Sequence, residues 1–292
     1  MQKLSPIEVN EICGELGETF PKSIEPVHGG DIHSAWQIEF SNEKFFLKRN
    51  DRNKKFLEFE KYCLQNLRKH NNQENLVIPE VITYKKIKNI EILLIEWIDM
   101  QKFDQKKLGK GLGEMHLKSA ESNPKMFGFP VEGFIGKSDQ KKGWESNWVD
   151  CFLNLRIMPQ LSNLKSNILD QATINKIKEK IKSELLNHKP INTLVHGDLW
   201  SGNAGIDKSG KGVIFDPASW WADNEVDIAM TKLFGGFGNE FYEEYQKIFP
   251  LKKNFENRII IYNFYHILNH ANMFRGAYLN QVKDYVKAIL RM

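Results

Sequence analysis

Residues 194–203 read LVHGDLWSGN and residues 213–216 read VIFD. These two pieces decide the fold, because a simple pairing ties them together. If 204–207 (AGID) and 212–215 (GVIF) form a hairpin around Lys208-Ser209-Gly210-Lys211, residue 204 faces 215 and Asn203 comes opposite Asp216. An amide oxygen and a carboxylate then converge at the open end of the hairpin. Two hard oxygen donors, with room left for waters and phosphate oxygens, suit Mg2+. Asp198 precedes Asn203 by five positions. That is the spacing of a catalytic loop whose Asp accepts the proton of an attacking hydroxyl while its Asn holds metal. The bland alternative is a tight turn in which Asp198 caps a backbone amide. A separate acid at a strand end, Asp216, favours phosphoryl transfer instead.

Working outward, the chain has 292 residues with 41% hydrophobic, 12% aromatic and 27% charged content, which is ordinary globular composition and excludes disorder, collagen and low complexity. Its 41 basic and 37 acidic residues leave a net charge of +4, and only seven of the basic ones are Arg, so nucleic acid is not expected as a partner. Cys13, Cys63 and Cys151 lie far apart, without the spacing of a disulfide framework or a zinc site, which fits a reducing compartment. No apolar run approaches spanning length and the first residues lack a signal layout, so a cytoplasmic protein without membrane association is expected.

Before the motif, 36–40 (WQIEF) and 44–48 (KFFLK) read as a hairpin that follows the small-residue loop His28-Gly29-Gly30-Asp31. Residues 54–69 carry a helical stripe of Phe56, Phe59, Cys63 and Leu67, and 90–98 read as a strand. Most of the remainder up to 190 and after 222 reads as helix. On the helical wheel Glu60 falls inside the apolar stripe while Glu58 points away, and a buried acid needs a cation. Lys48, ending the apolar run FFLK, is the nearest candidate. Taken alone, this pair is better read as an acid at the border of the stripe and a solvated strand end.

The segments HGDLWSGN, DPASWWADNEVDIAM, LFGGF and YNFYHILNHANMF, together with HGGDIHSAW, FFLKR, LLIEWIDM and WESNWVDCFLNLRIMPQL, resemble the fructosamine kinase (ketosamine 3-kinase) family over nearly the whole chain. That family is related to aminoglycoside and choline kinases. The resemblance implies an α+β, two-lobed, protein-kinase-like fold. Residues 1–98 would form a small β-rich nucleotide-binding lobe with one key helix, and 99–292 a larger, mainly helical catalytic and substrate-binding lobe. It implies ATP and Mg2+ as cofactors. Lys48 would bind ATP phosphates and Glu60 would hold Lys48. Gly29 and Gly30 would lie in the phosphate loop, and Glu96, Trp97 and Ile98 would form the hinge that meets adenine. Asp198 would be the base, with Asn203 and Asp216 on the metal. The acceptor would be a ketosamine, either a small molecule or a glycated protein, phosphorylated on its sugar 3-hydroxyl as a deglycation step by a monomeric enzyme. Two departures stand out: 28–35 is not a GxGxxG loop, and Asp216 is followed by Pro-Ala instead of Phe-Gly.

Weaker signals concern the acceptor. Trp200, inside the loop, is one of the family's more discriminating marks. Trp220 and Trp221 either stack on a sugar ring or belong to the core. Asp223, Glu225 and Asp227 either contact a substrate ammonium or brace the catalytic loop, the brace or cap being the better reading for Asp227. His116, His266 and His270 read as structural. Two competing readings remain at this stage: a kinase of choline, aminoglycoside or homoserine type, and a non-catalytic kinase fold used for binding, against which the intact Lys48, Asp198, Asn203 and Asp216 argue.

Overall fold

The computed structural model describes residues 3–27, 33–41, 43–101, 104–122, 124–165 and 168–292. Gly29 and Gly30 therefore lie outside the described residues. The first part of the chain builds a five-stranded antiparallel sheet from Ser23–Val27, Ser34–Glu39, Lys44–Asn50, Ile90–Glu96 and Val81–Ile87, in that spatial order. Alternation along Lys44–Asn50 divides its side chains between two covers. Phe45 and Leu47 turn toward a cluster with Ile12, Cys13, Trp36, Ile38, Ile92 and Leu94. Phe46 and Lys48 take the other face, toward the helix Phe56–Lys69.

The helix over the first face, Pro6–Leu16, was not read from the sequence. It starts with a capping box in which the Ser5 hydroxyl and the Glu8 carboxylate satisfy each other's backbone amides, and Glu8 also pairs with Arg49 of the sheet at 2.7 Å. On the opposite face, the helix Phe56–Lys69 has no side-chain cap of its own. The buried Glu91 of the adjacent strand takes its place, accepting the amides of Leu57 and Glu58.

Beyond residue 101 the chain is mainly helical, with Lys106–Glu121, Gln171–Leu185, Glu225–Leu233, Asn239–Ile248, Phe255–Phe274 and Ala277–Arg291 as its principal helices. Three small sheets cross the described residues of this part. One pairs Asn192–Val195 with Trp220–Asp223, another pairs Ala204–Asp207 with Gly212–Ile214, and the third pairs Gly133–Ile135 with Ser138–Gln140. The short strand Leu76–Val77 runs parallel to Gly212–Ile214, so the first part of the chain is stitched to the second by backbone hydrogen bonds.

The hairpin register differs from expectation by one residue. Ala204 faces Ile214, so Asn203 lies beside Phe215, whose amide it receives at 3.1 Å. The reason is the turn. Asp207 and Lys211 already pair, the loop is only Lys208-Ser209-Gly210, and Gly210 supplies the left-handed residue (φ 77°) that such a three-residue loop needs. The Asp207 carboxylate reinforces it by accepting the amides of Ser209 and Lys211, both at 2.8 Å.

Candidate active site

The catalytic loop leaves Asn192–Val195 at His196 and is held from below. Asp227, fully buried near the start of the helix Glu225–Leu233, accepts the amides of His196 (2.7 Å) and Gly197 (2.8 Å). His116 steadies Asp227 from the side at 3.2 Å and is itself tied to the Tyr245 hydroxyl at 2.9 Å. Burial opposes ionisation of Asp227, but the His116 hydrogen bond and charge outweigh it and hold the carboxyl below its ordinary value. Asp227 is thus the brace that the sequence suggested. His116 belongs to the same brace and lies within its helix, which continues to Glu121.

His196 does work that the sequence did not reveal. Its Nδ1 accepts the Asp198 amide at 3.2 Å while Nε2 reaches the Phe215 carbonyl at 2.9 Å, so one ring spans Asp198 and the residue before Asp216. That arrangement demands the neutral tautomer, and burial depresses the ring's pKa accordingly. Gly197 follows at φ 85°, with a Cβ position only 2.1 Å from the Ala218 carbonyl oxygen, so no larger residue fits this crossing.

Asn203 donates its side-chain amide to the Asp198 carbonyl at 2.9 Å and to the Asp198 carboxylate at 3.3 Å. This orients the Asp198 carboxylate and leaves the Asn203 amide oxygen available to a cation. Burial, reinforced by the negative charge of Asp216, pushes the Asp198 carboxyl from 3.8 up to about 7, with Asn203 opposing. A carboxyl in that range is suited to taking a proton near neutral pH.

Lys48 comes from the sheet, Glu60 from the helix Phe56–Lys69 and Asp216 from the end of the hairpin, and the three meet. Lys48 Nζ lies 2.7 Å from Glu60 Oε1 and also contacts Asp216 Oδ1. Burial works against the Lys48 charge, yet the two carboxylates keep its pKa above the ordinary value. Asp216 sits in the left-handed region (φ 56°) and its side chain is 42% exposed, with the Lys48 charge overcoming burial to lower its pKa. The available donors, the Asp216 carboxylate and the Asn203 amide oxygen, are hard and oxygen-only, the donor chemistry that Mg2+ requires. Nearby, His33 packs edge-on against Phe56 at 5.3 Å, and its buried Nδ1 has no hydrogen-bond partner among the described residues.

Of the three residues read as a hinge, Glu96 ends the strand Ile90–Glu96, and Trp97 and Ile98 follow it. Glu96 exchanges backbone and side-chain bonds with Glu80. Trp97 lies 6.1 Å from Phe46, on the sheet face that carries Lys48, and Ile98 follows it, half-buried.

Three of the residues proposed for the acceptor are not placed to meet it. Trp220 is fully buried, stacked on Trp148 at 5.6 Å and covered by the Arg156 guanidinium at 3.9 Å, where it floors the catalytic loop. Trp221 alternates to the other face of the strand and meets His70 at 5.6 Å. Glu225 is also fully buried, and Arg258 grips both of its oxygens at 2.6 and 2.7 Å. Alternation and a buried counter-ion explain these corrections. Of the four, only Trp200 keeps an exposed ring, at 39%.

The fructosamine kinase family model matches residues 9–292. A Vibrio parahaemolyticus relative named "Probable ketoamine kinase" is 35% identical over 266 residues, covering 90% of each chain. The solved "Putative fructosamine-3-kinase" of Haemophilus somnus superposes with a TM-score of 0.85 at 24% identity, covering 97% of this chain and 96% of its own. A choline kinase of Streptococcus pneumoniae gives a TM-score of 0.63 at 16% identity, covering 99% of this chain and all of its own. These likenesses establish a protein-kinase-like α+β fold.

Proposed function

The chain belongs to the fructosamine kinase family, and from that premise we propose that it transfers the γ-phosphoryl group of ATP to the 3-hydroxyl of a ketosamine sugar. Family membership makes it a kinase acting on a hydroxyl acceptor. The observation that supports phosphoryl transfer is the meeting of Asp198 with Asn203 at 2.9 Å, on the same loop system that brings Asp216 to the Lys48–Glu60 pair; the ketosamine acceptor rests on the family.

In this reading residues 1–98 supply the nucleotide side. The Glu96–Ile98 backbone meets adenine, Phe46 and Trp97 flank it, and Lys48 turns from Asp216 toward the phosphates while Glu60 keeps it in place. Asn203 and Asp216 would hold Mg2+, which when bound neutralises phosphate charge. Asp198 accepts the acceptor's hydroxyl proton, and Trp200 lies at the acceptor side of the loop. Enolisation followed by loss of inorganic phosphate from the third sugar carbon would leave an imine at carbon 1, and its hydrolysis by water would free the amine, which is a repair of glycated amines or proteins.

The test is incubation with Mg-ATP and a panel of ribulosyl-lysine, fructosyl-lysine, choline and an aminoglycoside, locating the new phosphate by phosphorus NMR. A 3-phosphate on a ketosamine supports the proposal. Turnover of choline or the aminoglycoside alone overturns it.

A further inference from the structure

An aromatic strip starts on the catalytic loop and crosses three helices. The Trp200 amide is bonded to the Asp198 carbonyl at 3.1 Å, so the strip begins at the base itself. The Trp200 ring meets Phe234 at 6.2 Å, Phe234 meets His270 at 5.2 Å, and His270 meets Phe274 at 5.7 Å and Tyr278 at 5.0 Å. Phe234 ends the helix Glu225–Leu233, His270 and Phe274 lie in the last turns of Phe255–Phe274, and Tyr278 opens Ala277–Arg291. The turn after Phe234 is pressed onto the catalytic loop, since a Cβ on Gly236 would fall 2.5 Å from that of Ser201. Packing therefore fixes the strip to the site.

Such rings would ordinarily be covered, yet Phe234 and Phe274 are 41% and 47% exposed. A contiguous open patch of this kind marks a binding surface. Resting on the ketosamine reading above, we infer that the strip is the subsite for the amine-derived half of the acceptor, and that it selects adducts whose nitrogen carries an aromatic group. Two physical reasons fix this occupant. The nitrogen of a ketosamine is a secondary amine that is cationic near neutral pH, and aromatic faces attract a cation. An aromatic substituent beyond that nitrogen then has rings to stack on, and gains both area and ring-ring geometry. With the sugar hydroxyl at Asp198, the substituent extends away from the nucleotide side, along the line from Trp200 to Phe274.

The experiment uses one sugar on three amines: methylamine, benzylamine and the lysine side chain. The wild-type protein should show a kcat/KM for the benzylamine adduct about tenfold above that for the methylamine adduct. Phe234→Leu, which keeps apolar volume but removes the ring, and Phe274→Ala should each bring that ratio down toward one. Both positions are exposed, so the variants should fold, and circular dichroism checks this. A wild-type ratio of one or less, a preference for the lysine adduct, or a ratio that both variants leave intact would overturn the subsite. Failure to phosphorylate any of the three adducts would overturn the ketosamine reading itself.

Discussion

Asp198 shows how one carboxylate is tuned. Burial next to Asp216 lifts its pKa to about 7, so its ionised form, the one that can take a proton, is lost as pH falls through that value. The kcat/KM for the acceptor should fall about tenfold per pH unit below about 7, and a profile flat down to pH 5 would remove Asp198 from proton transfer. Asp198→Asn should lower kcat by on the order of 10²-fold or more. The same shift has a stability sign. A carboxyl whose folded pKa exceeds its ordinary 3.8 contributes stability below that value and loses it as pH rises through about 7. Asp198→Asn should therefore unfold at a higher temperature than wild type at pH 8, the trade expected where function strains a site. Lys48 and Glu60, 2.7 Å apart, should behave as one unit. Each alanine variant should lose ATP affinity, and the double variant less than the sum of the two losses, whereas strict additivity would show that they do not cooperate.

At the scale of elements, helix and strand faces settle which acidic and aromatic residues are free for chemistry. The strand Trp220–Asp223 turns Trp220 inward, where it fills the space between Trp148, Arg156 and the catalytic loop. Trp220→Ala should cost about 3–5 kcal/mol in urea unfolding; a loss below about 1 kcal/mol would contradict its place in the core. The helix Glu225–Leu233 begins with two buried acids of different purpose: Glu225 neutralises Arg258, and Asp227 carries the loop amides. Glu225→Gln leaves the Arg258 charge buried without a carboxylate and should destabilise by about 3 kcal/mol or more, whereas acceptor KM should stay within about twofold. A KM rise with unchanged stability would restore Glu225 to the acceptor site.

Across the whole molecule, Lys48 and Asp216 are separated by 168 positions and meet only because the sheet, the helix Phe56–Lys69 and the hairpin dock together. Asp216→Asn should weaken Mg2+-dependent nucleotide binding in calorimetry, since it removes the charge that draws the ion; an unchanged Mg2+ dependence would remove Asp216 from the metal site. Much of this assembly was legible beforehand. Local signals identified the stripe of Phe56–Lys69 with Glu60 inside it, the strand carrying Lys48, which runs two residues beyond the expected end to Asn50, the five-residue interval from Asp198 to Asn203, and the Asp227 brace, because periodicity and spacing are properties of a contiguous segment. The helix Pro6–Leu16 escaped despite its Ser5 and Glu8 cap, and the hairpin register was one residue off because Gly210 shortened the loop. What only the tertiary structure decided was ownership. Trp220 and Glu225 have the residue types of a substrate site, but Arg156 and Arg258 claim them from distant segments. Conversely, Trp200, Phe234, His270, Phe274 and Tyr278 form one surface although they belong to four segments. A segment's own sequence determines which face it buries, whereas the partner that meets that face is chosen by packing between segments far apart in the chain.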